Sequence, residues 1–240
     1  MIQCDRQQIG AVPLLILRNG PVTRGTVLVY HGLLASKETQ EKELKSLADH
    51  GFLAVGVDAV GHGERKYPDL ERRINSNESH VQLLEMVRSS VIEIPTLIRE
   101  LKERYPTPGS FGLTGISMGG YIAFSAAAIC EDLRAVVPIL GSPDWSACSS
   151  TPLPGPWQQA SPHHHPERMY PKALLVQNAG QDERVPPQPS RDFVERARSH
   201  YRDCPERVQH FEYPDSGHFM KESDWRVLWA RTVEWFRKYL

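Results

Sequence analysis

Apolar residues along the chain fall into two alternating textures. Short unbroken runs of aliphatic and β-branched residues give way to longer stretches in which apolar positions recur every three or four residues in a charged background. The first texture suits a strand buried on both faces, the second an amphipathic helix. Residues 12–17 and 26–30 are of the first kind, and the turn signal Asn19-Gly20-Pro21 between them predicts a hairpin. Residues 38–50 carry helical spacing and stop at Gly51, before the strand-like run 52–57. With the 26–30 run in front, this predicts a β-α-β unit.

The order then repeats. Helical spacing covers 81–101, where Pro95 predicts a kink or a split into two helices. A strand is expected at 111–114, a small-residue helix at 118–129, strands at 135–140 and 173–177, a helix at 188–201, a last strand at 208–211 and a closing amphipathic helix at 225–240. Strands alternating with helices imply a mostly parallel sheet of seven or eight strands, covered on both faces, with the N-terminal hairpin as an antiparallel edge. No internal repeat is visible. One stretch breaks the rhythm: residues 141–170 hold eight prolines or glycines, two tryptophans and the tract His163-His164-His165. Such a long irregular connection is usually functional or mobile, and this one is too short for an independent lid domain.

Composition narrows the class. At 240 residues with 40% apolar and 24% charged positions, one domain spanning the whole chain, 1–240, is expected. A formal charge of −1 offers no general attraction for nucleic acid or an anionic membrane, and disorder would need lower hydrophobicity. Cys4, Cys130, Cys148 and Cys204 stand far apart without metal-ligand spacing and read as reduced thiols. The first residues lack a basic start and apolar stretch, and no run of about 18 apolar residues occurs, so a cytoplasmic protein is expected; a chain that had lost a leader would read the same.

The chemistry lies at three places. Gly115-Ile116-Ser117-Met118-Gly119 stands between an expected strand and an expected helix, where a G-x-S-x-G turn lifts a serine hydroxyl clear of the sheet. A serine is a weak nucleophile until a base takes its proton, and that base needs an acid to orient it. Asp182, in a loop after a strand, and His218, after the final strand, follow in the order Ser, Asp, His. Asp144 is a rival acid; Asp215 is too close in sequence to His218 to support its ring. Asp58, His31 and His62 read as structural groups in glycine-flanked loops. Consecutive side chains of the His163 to His165 tract point in different directions, which suits a solvated loop better than a metal site. Trp225, Trp229 and Trp235 recur near helical spacing and belong to a packed helix.

On these residues the chain resembles the α/β-hydrolase superfamily. The likeness extends over His31-Gly32, Asp58 with Gly61-His62-Gly63, the Ser117 turn, the pattern from Gly180 to Pro186, and Gly217-His218. The absence of a lid and the stretch from Tyr30 to Glu38 resemble the small bacterial esterases grouped with dienelactone hydrolases and prolyl-oligopeptidase catalytic domains. Dienelactone hydrolases carry cysteine where this chain has Ser117.

The resemblance implies an oxyanion hole from the backbone N–H groups of Leu33 and Met118, and no cofactor. Trp145 and Trp157 lie in the irregular stretch expected over the carboxyl ends of the strands, where they either line a pocket with Leu34 or pin that stretch down. The resemblance also implies hydrolysis of carboxylic esters through an acyl-enzyme, and the missing lid, with the prolines that deny residues 141–170 a long helix, predicts short acyl chains. Acyl-peptide or thioester hydrolysis is the alternative within enzymes, and a non-catalytic ligand-binding protein of the same fold the alternative outside them. Peptidase relatives generally carry an extra propeller domain, for which this chain has no room. The expected partner is a small-molecule ester; the oligomeric state is left open.

Overall fold

The computed structural model describes residues 1–149 and 152–240. One eight-stranded sheet runs through it: β1 (Ile2–Ile9), β2 (Val12–Asn19), β3 (Thr26–Tyr30), β4 (Leu53–Val57), β5 (Phe111–Ile116), β6 (Leu133–Ile139), β7 (Ala173–Ala179) and β8 (Val208–Tyr213). The spatial order is β1-β2-β4-β3-β5-β6-β7-β8, parallel from β4 to β8 and antiparallel at the β1 and β2 edge. The helices are α1 (Glu41–Asp49), α2 (Leu70–Ile74), α3 (Ser79–Arg104), α4 (Met118–Ile129), α5 (Gly155–Ala160), α6 (Gln188–Arg198) and α7 (Glu222–Tyr239).

Period-two alternation divides each central strand between two cores. Leu28 and Tyr30 of β3, Val55 and Val57 of β4 and Val176 of β7 join the apolar stripes of α3, α4 and α6. Their neighbours Val27, Val29, Ala54 and Leu175 join α1 and α7, where Trp229 and Trp235 are buried against the sheet. Both faces are covered, so these strands read as unbroken apolar runs.

Three expectations change. The hairpin is β1 with β2, in register from Ile2 opposite Asn19 to Ile9 opposite Val12; β2 does not pair with β3. Its other neighbour is β4, with Leu14 opposite Val57. Polar Ile2–Ile9 has no apolar run to announce it, because an edge strand is held by backbone pairing more than by side-chain burial. The Asn19-Gly20-Pro21 turn is present, but it hands the chain to the sheet centre, where β3 lies between β4 and β5. Finally, the split at Pro95 does not occur, and α3 passes it as one helix of 26 residues. Pro95 is exposed while Val91, Ile94, Leu97 and Ile98 are buried, so the proline ring lies on the solvent side of the helix and the packed stripe is kept.

Among its described residues, the 141–170 connection contains only the short α5 and two 3-10 turns, Pro162–His164 and Pro166–Met169, in keeping with its prolines. Residues 150 and 151 within it lie outside the described residues. Among the described residues, no helix is long and apolar enough to cross a membrane.

Candidate active site

β5 ends at Ile116 and α4 begins at Met118, leaving Ser117 alone at the turn with φ 56° and ψ −112°. A positive φ is strained for a residue with a side chain, and strain of this kind is held only when the surroundings over-determine it. Here they do. The Ser117 N–H donates to the Ile139 carbonyl at 2.9 Å, and α4 is pressed so close to the sheet that a Cβ on Gly115 would strike the Gly119 carbonyl and one on Gly119 the Tyr30 carbonyl. The small residues around Ser117 are therefore a packing requirement.

Two loops from neighbouring strands bring in the partners. The loop after β7 is tied to the loop after β8 by Gly180 N–H to Tyr213 O (2.8 Å) and Gln181 N–H to Ser216 O (2.9 Å). Ser216 is itself fixed, donating to Asp224 Oδ2 at 2.6 Å and accepting the Lys221 N–H at 3.1 Å. Across the stitched pair, His218 Nδ1–H donates to Asp182 Oδ2 at 2.7 Å, and the Ser117 hydroxyl donates to His218 Nε2 at 3.0 Å. Asp182 is buried and its Oδ1 accepts the N–H groups of Arg184 and Val185. Ser117 and His218, 101 positions apart in the chain, thus form one hydrogen-bonded line with Asp182.

A cleft of about 500 Å³ opens over Ser117. Leu33 and Leu34 form one lip, with Leu34 at φ 64°, and Met118 lies at the first turn of α4, where a backbone N–H has no acceptor within its own helix. His80, Tyr121 and Cys148 line the other side. His80 Nε2–H donates to the Trp145 carbonyl at 2.5 Å and Tyr121 OH donates to Cys148 Sγ at 3.2 Å. Burial lowers the His80 pKa and raises those of the Tyr121 phenol and the Cys148 thiol, so all three favour their neutral forms. None of the three stood out in the sequence, although Tyr121 lies one helical turn beyond Ser117.

Trp145 and Trp157 are placed elsewhere. They do not line this cleft; their rings pack on each other at 5.9 Å, and Arg88 lies over Trp157 at 5.7 Å, which pins the 141–170 connection to α3. Asp144 caps its own turn, accepting from the backbone N–H and hydroxyl of Ser146 at 2.8 and 2.6 Å. His163 Nδ1 stands 3.5 Å from Asp144, and its ring packs on His164 at 3.7 Å, so these two neighbours do not diverge as the sequence predicts, because the Pro162–His164 3-10 turn brings them together. Among the described residues, no group of three or more His, Cys, Asp or Glu is placed to hold a metal.

Under the Leu33 and Leu34 loop sits a buried charge cluster. Asp58 accepts the Lys37 backbone N–H (2.8 Å), the Lys37 ammonium (2.9 Å) and the Glu64 N–H (3.0 Å). Burial works against the Lys37 charge, yet hydrogen bonds to Glu64, Asp58 and Glu38 hold the ammonium above the usual lysine range. His31 Nδ1–H donates to Gly32 O at 2.8 Å and Nε2 accepts the Ala59 N–H at 3.0 Å. Burial lowers its pKa to about 4, so it is neutral and bridges the loops after β3 and β4. Lys37 is the member of this cluster that its sequence position did not reveal.

Known proteins share this architecture. "Putative esterase YitV" of Bacillus subtilis is 28% identical over 264 aligned positions that span both chains entirely. The structure of TT1662 from Thermus thermophilus superposes with a TM-score of 0.81 at 24% identity, covering 98% of each chain. The acylaminoacyl peptidase of Pyrococcus horikoshii matches the whole of this chain with 42% of its own, at a TM-score of 0.73 and 18% identity. Residues 21–158, more than half of the sequence, match the family described as serine aminopeptidase, S33, and the chain belongs to that family of α/β-fold hydrolases.

Proposed function

We propose that the protein is a serine esterase acting on short-chain carboxylic esters through an acyl-enzyme. The observation that carries this reading is the line Ser117–His218–Asp182, at 3.0 and 2.7 Å, at the base of an open cleft. His218 Nε2 takes the Ser117 proton as Oγ attacks the ester carbonyl. The tetrahedral oxyanion is met by the N–H groups of Leu33 and Met118, a type of stabilisation that is often the largest catalytic contribution. The His218 imidazolium, held by Asp182, then protonates the departing alcohol. Water, deprotonated by the same nitrogen, releases the acid and restores Ser117.

A second reading, hydrolysis of peptides from a free amino end, is prompted by the family description. An α-ammonium group needs a counter-charge near the scissile bond, and none of the described residues lining the cleft is a carboxylate; Asp182, behind His218, is buried and engaged with it. The cleft therefore favours the esterase reading. A fluorophosphonate probe tests it: labelling of Ser117, with parallel loss of ester hydrolysis, is expected, and an unlabelled Ser117 in a protein that still cleaves esters would refute it.

A further inference from the structure

Among the described residues lining the Ser117 cleft, Arg184 carries the single formal charge. Its guanidinium makes no ion pair with any described carboxylate, its neighbour Glu183 included, and lies 4.8 Å from the centroid of the Phe219 ring. Phe219 is 80% exposed, a large apolar ring left in water at the mouth of the site. Both residues are anchored by the reacting groups themselves. The Arg184 N–H donates to Asp182 Oδ1 at 3.0 Å, and Phe219 follows His218 with ring centroids 5.8 Å apart at 83°. The Arg184–Phe219 pair is thus a second storey built over the Asp182–His218 pair.

Position decides which half of a substrate it meets. His218 Nε2 has to come within hydrogen-bond reach, about 3 Å, of the departing oxygen, so the alcohol half lies on the His218 side of the cleft. The acyl half is left to the side of Tyr121, Cys148 and Leu140. Resting on the esterase reading above, we propose that Arg184 and Phe219 form an alcohol-side subsite for esters whose leaving group is an apolar or aromatic body bearing a carboxylate. The ring contacts the body. The guanidinium, already stacked and short of an acceptor, takes the carboxylate in a bidentate pair.

Two acetate esters with the same aromatic frame test this: 3-acetoxybenzoate, which carries the anion, and 3-acetoxybenzamide, its neutral counterpart. The measured quantity is the ratio of their kcat/KM values in the wild type, R184K, R184Q and R184E, which cancels the intrinsic reactivity of each ester. The ratio is expected to fall about fivefold to thirtyfold in R184Q, to fall further in R184E and to be largely kept in R184K. In the wild type it should shrink as salt is raised to about 0.5 M, because the contact is partly exposed. A ratio equal in wild type and R184Q, or insensitive to salt in the wild type, overturns the subsite while leaving the esterase reading intact. Hydrolysis of neither ester by the wild type overturns both.

Discussion

Asp182 divides its two carboxylate oxygens: Oδ2 accepts the Nδ1–H of His218 at 2.7 Å, while Oδ1 accepts the backbone N–H groups of Arg184 and Val185 at 3.0 and 2.9 Å. An asparagine here would have to turn its carbonyl toward the two backbone donors and its NH₂ toward His218. The imidazole would then accept at Nδ1 and carry its proton on Nε2, where it could not take one from Ser117. Asp182→Asn is expected to lower kcat for ester hydrolysis by about 10⁴ while the melting temperature barely moves, because the loop keeps its acceptor. Steady-state rates beside a thermal melt check both halves; loss of rate together with collapse of the fold would point to a merely structural role.

Ser117 holds a positive φ at some cost in stability. Ser117→Ala and Ser117→Gly should both lose ester hydrolysis by a factor on the order of 10⁵. They should differ in stability. Glycine relieves the strain and alanine retains it, so the glycine variant is expected to be more stable than the alanine variant by about 1 kcal/mol. Urea unfolding of the pair decides; equal midpoints would mean that the turn is not strained.

His31 predicts an acid-side weakness. Its folded pKa of about 4 lies below the ordinary 6.5, so between those values the unfolded chain binds a proton that the folded one refuses. The contribution is fully present above pH 6.5 and is lost as pH falls through that window, by up to about 3 kcal/mol. Burial also lowers the pKa of His62, His80 and His210, with the same sign. The readout is therefore the difference between proteins: His31→Gln should lose less stability than the wild type between pH 7.5 and pH 4.5, as followed by urea midpoints.

Lys37 and Asp58 are fully buried and paired. Asp58→Leu alone leaves the ammonium to Glu38 and Glu64 and strips the Lys37 and Glu64 N–H groups of their acceptor, and is expected to cost about 3 to 5 kcal/mol. The double variant Lys37→Met/Asp58→Leu removes both charges and should recover at least about 1 kcal/mol of that loss. A double-mutant cycle by chemical denaturation measures the coupling, and strict additivity would show that the pair does not act as a unit.

The cleft bears on acyl preference. The cleft between the Leu33–Leu34 lip and the Tyr121–Cys148 wall is open to solvent, so an acyl chain running along it is buried only over the carbons nearest Ser117. Each buried CH₂ contributes about 0.8 kcal/mol while it stays inside, so kcat/KM should climb over the first few acyl carbons and level by about six. A panel of 4-nitrophenyl esters tests this. Efficiency still rising beyond about ten carbons would mean that the pocket extends past the walls seen here.

Much of the architecture was legible from sequence because its signals are local. A strand buried on both faces must be an apolar run, as Thr26–Tyr30 and Leu53–Val57 are, and a nucleophile turn must place small residues beside Ser117, as Gly115 and Gly119 do. The order Ser117, Asp182, His218 could be read along the chain for the same reason, since each sits just past a recognisable strand. What remained hidden depends on which segments meet. Ile2–Ile9 is a strand only because β2 offers it a free edge, and Pro95 stays within α3 because tertiary packing turns it to solvent. The burial of Lys37, the displacement of Trp145 and Trp157 from the cleft, and the stacking of Arg184 on Phe219 join residues distant in sequence. Periodicity reports how a segment meets its average surroundings, apolar or wet; it carries no record of which particular neighbour stands opposite. Those pairings arise when the loops at the carboxyl ends of the strands converge on one edge of the sheet.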